Sequence, residues 1–82
     1  MVQINGDGLT VKMAVDGREV VASLLSATLE RVFGAQPSEP RSWLWAYRNH
    51  AARINHAVIQ KGRRHAGEDH LTLHDDDFGA AH

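Results

Sequence analysis

The chain is expected to fold as one α+β domain over residues 1–82: a small antiparallel sheet, a β-hairpin plus a C-terminal strand, with two helices packed on one face in the order β-β-α-α-β. Three observations predict this. Leu9 to Leu25 (LTVKMAVDGREVVASLL) alternates apolar and polar residues on both sides of Asp16-Gly17. Two later stretches, around Leu29 and from Trp43 to Val58, carry apolar residues at helical spacing. His70 to His74 (HLTLH) returns to alternation. Antiparallel strands followed by helices that must bury one face give a two-layer α+β arrangement.

Asp-Gly between two alternating runs is the strongest short hairpin signal, because both central residues of a type I′ turn take positive φ. A two-residue loop sets Val15 opposite Arg18, Met13 opposite Val20, Val11 opposite Ala22 and Leu9 opposite Leu24. One face of the hairpin is then apolar. The other carries Thr10, Lys12, Ala14, Glu19, Val21 and Ser23, and a slip of one residue would exchange the two faces. Residues 1–8 form a lead-in. Val2 and Ile4 alternate there as a short edge strand, before Asn5-Gly6-Asp7-Gly8 breaks the run.

Ser26 is placed to cap a short helix that ends at Gly34, where a left-handed residue is wanted. Leu25, Leu29, Val32 and Phe33 on this helix are expected to pack against the sheet. After a connector containing Pro37, Ser38 can cap a longer helix with Pro40 in its first turn, where a missing N–H does no harm. Gly62 is a natural end, unless the basic run after it extends the last turn. Its core stripe is Trp43, Leu44, Tyr47, Ala51, Ile54 and Val58, an arc of roughly 100°. Ser42, Ala46, Asn49, Arg53, His56 and Gln60 are expected to face water. Trp45, Ala52 and Ile59 form a second row at seven-residue spacing, suited either to packing on the first helix or to meeting another subunit. Beyond the Ala66-Gly67 turn, Leu71 and Leu73 of the last strand point inward and His70, Thr72 and His74 outward. Asp75 to Asp77 reads as a solvated turn, Phe78 tucks back to the core, and residues 79–82 fray.

The 82 residues include no cysteine. That excludes disulfides, thiolate chemistry and Cys-based metal sites, and it fits a reducing cytoplasm. No apolar run approaches the ~20 residues needed to span a bilayer, and the N-terminus lacks the pattern of a signal peptide. The formal net charge is −1, unevenly spread. Six basic residues lie between Arg41 and Arg64 with no acid among them, and five acids follow between Glu68 and Asp77 with no Lys or Arg. Two such blocks can neutralise each other on folding, which competes with any role for the basic one in binding nucleic acid.

Several residues together resemble a known family. Val15-Asp16-Gly17-Arg18-Glu19-Val20, Leu29-Glu30, Phe33-Gly34-Ala35 and the closing Leu71-Thr72-Leu73 through Asp77-Phe78 are similar in order and spacing to the bacterial domain-of-unknown-function 1488 family. The resemblance covers roughly Leu9 to Phe78. It implies a short stand-alone bacterial α+β protein and supplies no activity. Where members often carry Cys, Ser and Glu, this chain has Ala22, Leu25 and Ala27, so no chemistry of those groups carries over.

The residues themselves offer little to catalysis. Ser26, Ser38 and Ser42 are explained by helix starts, no acid–His–Ser order suggests a triad, and no glycine-rich phosphate loop is present. A domain of this size has difficulty enclosing a pocket of ~300 Å³. No enzyme activity, no cofactor and no metal are therefore expected. His65, Glu68, Asp69 and His70 are the residues a turn could gather round an ion, and a solvated His/acid turn is the simpler reading. A membrane surface is not an expected partner, since the apolar face of the basic helix is needed for the core. What is expected is a contact module for a partner protein or a second copy, in a homodimer, through Trp45, Arg48, Ala52 and Ile59. Arg41, Trp43, Trp45, Tyr47 and Arg48 also interleave cations with aromatics, as single-strand stacking surfaces do. The alternative is thus weak nucleic-acid binding through Arg48, Arg53, Lys61, Arg63 and Arg64. The pI of about 6.6 argues against it, since such domains are strongly basic.

Overall fold

A computed structural model describes residues 2–36 and 39–78. The expected cap Ser38 and the expected frayed tail 79–82 lie outside the described residues. The chain runs β1 (Val2–Asn5), β2 (Gly8–Val15), β3 (Arg18–Leu25), α1 (Ser26–Phe33), α2 (Pro40–Asn49), α3 (Ala51–Arg64) and β4 (His70–Leu73), followed by a 3₁₀ turn (Asp75–Phe78).

The hairpin forms as its turn chemistry demands. Asp16 has φ 51° and Gly17 φ 83°, the pair of positive values of a type I′ turn. The register follows: Val15 pairs with Arg18, Met13 with Val20, Val11 with Ala22 and Leu9 with Leu24. Arg63 reaches Asp16 at 3.3 Å, with both side chains more than half exposed. An exposed pair of this kind contributes little, and asparagine also tolerates left-handed φ. Asp16→Asn is therefore expected to change stability by less than about 0.5 kcal/mol in urea unfolding.

The lead-in is a true strand, with β1 antiparallel to β2 from Val2↔Val11 to Asn5↔Gly8. The sheet order is β1-β2-β3-β4. Here the expected topology needs correction. β4 lies parallel to β3, with Ala22 opposite Leu71 and Leu24 opposite Leu73, so the four-stranded sheet is mixed and not wholly antiparallel. Parallel neighbours need a long crossover, and the stretch holding α1, α2 and α3 supplies it by returning the chain to the end where β3 began. The order is β-β-β-α-α-α-β, with three helices where two were expected.

The third helix arises because the long one breaks at His50. Its backbone (φ −128°, ψ 23°) is non-helical, and its N–H is shared between the Ala46 and Tyr47 carbonyls at 3.1 Å each. The two halves then pack separately: α2 against α1 and β2, α3 against β2, β4 and the 3₁₀ turn. The break also moves the buried stripe. Trp43, Ile54 and Val58 are buried as expected, but Ala46, expected to face water, is fully buried too. α3 runs two residues past Gly62, which is buried against Val15.

Helix starts also differ from expectation. Leu25, not Ser26, occupies the cap position of α1, and no side chain caps it. The Ser26 N–H instead donates to the Asp7 carbonyl at 2.6 Å, so the β1–β2 turn satisfies the helix's first donor. Leu25 faces away from the helices, beside Gly8, and is 41% exposed. Gly34 ends α1 in the left-handed conformation, as expected.

The core lies between the sheet and the helices. It comprises Leu9, Val11, Val15, Val20, Ala22, Leu24, Leu71 and Leu73 from the strands, and Leu29, Phe33, Trp43, Ile54 and Val58 from the helices. Phe78 closes one end, edge-on to Phe33 with ring centroids 5.0 Å apart. On the opposite sheet face Lys12, Ala14, Glu19 and His70 are exposed, and Thr10 is held by the Asn5 amide at 2.9 Å.

Candidate functional site

Charge is where folding alters the sequence picture most. Among the described residues, six of the seven basic side chains that the fold engages have identifiable partners. Arg18 holds the Glu68 and Gly62 carbonyls and Asp69. Arg31 meets Asp75 at 2.6 Å. Arg53 donates to the Phe78 carbonyl at 2.7 Å and lies over the Phe33 ring. Lys61 bonds Asp77 at 2.9 Å and the Thr72 carbonyl at 2.7 Å. Arg63 meets Asp16, and Arg64 reaches Asp77 at 3.4 Å. The seventh, Lys12, also has an interaction.

The basic and acidic blocks meet only in part: Lys61 and Arg64 converge on Asp77, while Arg63 turns to Asp16 and Asp69 and Asp75 are met by Arg18 and Arg31 from outside the basic block. The turn at Asp75 to Asp77 is not the solvated one expected. The Asp77 side chain is 11% exposed. Burial pushes its carboxyl up, but the His74 amide, Lys61 and Arg64 outweigh burial and hold it below the usual aspartate range. Asp75 is held low first by its bond with Arg31 and then by the Thr28 hydroxyl.

Two arginines remain with no hydrogen-bond or ion-pair partner among the described residues: Arg41 and Arg48, both exposed on α2. Trp45, 55% exposed, stands between them. At 100° per residue, positions 41, 45 and 48 fall within about 60° of arc, so all three side chains share one face of α2. No acid occurs on this helix. The Asn49 amide donates to the Trp45 carbonyl at 2.8 Å, which occupies the last turn without covering the indole. The result is an exposed indole between two unpaired guanidinium groups.

The other residues expected to act are distributed differently. Ala52 is exposed and Ile59 half-buried, packed against the core. Both lie on α3, beyond the break at His50. The seven-residue row Trp45/Ala52/Ile59 assumed one unbroken helix and is not a single stripe. Of the five residues weighed for nucleic-acid contact, only Arg48 is left unengaged. Arg41 was in the interleaved aromatic run but not in either set of contact residues. The signal that could have found it is the i, i+4, i+7 spacing with Trp45 and Arg48.

The His/acid turn does not converge. The His65 ring meets Glu68 at 3.0 Å, Asp69 turns to Arg18, and His70 meets Ser23 at 3.1 Å. No group of three or more such side chains among the described residues could hold a metal ion. An open groove of about 510 Å³ lies between α3 and the 3₁₀ turn, but Arg53, Arg64 and Asp77 in its walls are tied into the fold. No described helix is long and apolar enough to cross a membrane.

Compared with protein-family models, curated proteins and solved structures, the chain matches none.

Proposed function

We propose that this protein is a small contact module, not an enzyme, and that the outer face of α2 binds an acidic segment of a partner protein. The observation carrying this is the pairing of exposure with unspent charge. Among the described residues, Trp45 is the most exposed of three exposed large apolar side chains, and it is flanked by the two arginines without partners there. Tryptophan and arginine are the side chains that most often dominate protein interfaces. Guanidinium groups recognise carboxylates bidentately.

The same charges argue against a twofold contact through this face, which would set the arginines of one copy against those of another. They also leave nucleic acid the weaker reading. With two available cations, the salt slope for a single strand would be only about −1.4. Kinship with the domain-of-unknown-function 1488 family, a bacterial origin and a cytoplasmic setting belong to this proposal as well.

The test is titration of the protein with a Glu/Asp-rich peptide carrying spaced leucines, followed by amide chemical shifts. Shifts should concentrate on Pro40–Asn49. Trp45→Ala should weaken binding at least about tenfold while moving stability by less than about 0.5 kcal/mol. Binding insensitive to Trp45→Ala, or binding of an oligonucleotide in place of the peptide, would overturn the proposal.

A further inference from the structure

We propose that the outer edge of β1 pairs with the same edge of a second copy of this chain, in an antiparallel seam with its twofold axis at Gln3. The two edges of the sheet are β1 and β4. They are treated differently.

On β4, the Val21 N–H donates to the Asp69 carbonyl at 2.8 Å. Alternation then turns the backbone groups of Leu71 toward β3 and those of Thr72 outward. Lys61 donates to that outward Thr72 carbonyl at 2.7 Å. A lysine thus occupies this edge, one of the ways in which proteins prevent edge-to-edge pairing.

On β1, Asn5↔Gly8 closes a two-residue turn. Asn5 and Gln3 therefore direct their N–H and C=O groups to β2, and Val2 and Ile4 direct theirs outward. Among the described residues no partner meets those outward groups. The strand Val-Gln-Ile-Asn carries no charge, no proline and no lysine, so of the usual guards it has only its shortness. Ile4 is 47% exposed.

The edge is complementary to itself. Val2 and Ile4, two residues apart, match Ile4 and Val2 of an inverted copy, giving four backbone hydrogen bonds. The Gln3 side chains meet on the helix-free face. Val2 and Ile4 lie beside their counterparts on the other face, and no charge meets its like. The same three residues, Val2, Gln3 and Ile4, supply both halves of the seam, which favours a second copy over a foreign strand. This surface is separate from α2, so it stands or falls independently of the function proposed above.

Sedimentation of the full chain from about 10 µM to about 1 mM should show a monomer–dimer equilibrium, the range a small interface occupies. Ile4→Pro removes an outward N–H that the monomer does not use, at an edge position where proline is tolerated. It should weaken the dimer at least about tenfold, whereas Trp45→Ala should leave it unchanged. Hydrogen exchange on the unaltered protein gives a second reading that does not depend on the variant folding. The Val2 and Ile4 amides should exchange more slowly as concentration rises, and the Thr72 amide should not. A monomer throughout, a dimer indifferent to Ile4→Pro, or no concentration-dependent protection at Val2 and Ile4 would each overturn the proposal.

Discussion

Asp77→Ala is expected to lower the free energy of unfolding by about 2–4 kcal/mol, read as a fall in the urea midpoint at neutral pH. Asp77 accepts from the Lys61 ammonium at 2.9 Å, the His74 amide at 2.7 Å and Arg64 at 3.4 Å. Lys61 is itself only 15% exposed. Without the carboxylate it keeps the Thr72 carbonyl but loses its counter-charge, and a half-compensated buried cation is more costly than either a complete pair or none. The same group ties the 3₁₀ turn to α3, so the loss reaches the packing of Phe78.

The acid limb follows from the same contacts. Asp77 and Asp75 are both held below the ordinary value of 3.8. A carboxyl lower in the folded than in the unfolded state adds stability above the unfolded value, and that stability is lost as pH falls through the folded one. In this window the unfolded chain binds more protons, so stability rises with pH. The urea midpoint should hold level down to about pH 5 and drop below about pH 4. Asp77→Asn should start lower and drop less steeply. A midpoint in the unaltered protein that stays flat to about pH 3, or an Asp77→Asn variant that parallels it, would contradict this account.

Gly8→Ala is the second large effect, expected to cost at least about 2 kcal/mol in thermal or urea unfolding. A Cβ on Gly8 would run into the Leu24 carbonyl oxygen. That atom is backbone, so relief requires β2 and β3 to shift at the central pair of the sheet. Gly8 also pairs with Asn5 and follows Asp7, whose carbonyl receives the first amide of α1. Moving it disturbs the turn, the sheet and a helix start together. Gly67→Ala is the control, because a Cβ there meets nothing within 4 Å. Equal effects of the two substitutions would remove the steric argument.

Much of the fold was legible because its signals are local. Asp16-Gly17 needs only its own backbone angles to set the hairpin, and period-two alternation then assigns Leu9, Val11, Val20, Ala22 and Leu24 to one buried face. Leu71 and Leu73 were legible for the same reason. What failed was what depends on distant residues. A continuous pattern from Pro40 to Gly62 contains no helix breaker, so the interruption at His50 was invisible. It follows from α2 and α3 packing against different partners, with the His50 ring set 4.8 Å from Phe33. One cap failed too: Ser26 was the obvious start of α1, but Leu25 holds the cap position and the Asp7 carbonyl, brought close by sheet pairing, takes the Ser26 amide.

The candidate surface was half legible. Trp45 and Arg48 stood out by type, but type does not say which cations are unspent. Arg53, Arg63 and Arg64 resemble Arg41 and Arg48 in sequence. Only the closing of residues far apart along the chain, Arg63 on Asp16 and Arg53 on Phe78, separates them.

By itself, then, the amino-acid order determined the hairpin, its register and the side of the sheet that avoids water, because turn dihedrals and strand alternation act between near neighbours. The tertiary structure alone decided the direction of β4, the break between α2 and α3 and the isolation of Arg41 and Arg48 beside Trp45. Those depend on pairings between residues well apart in the chain, whose energies no local pattern encodes.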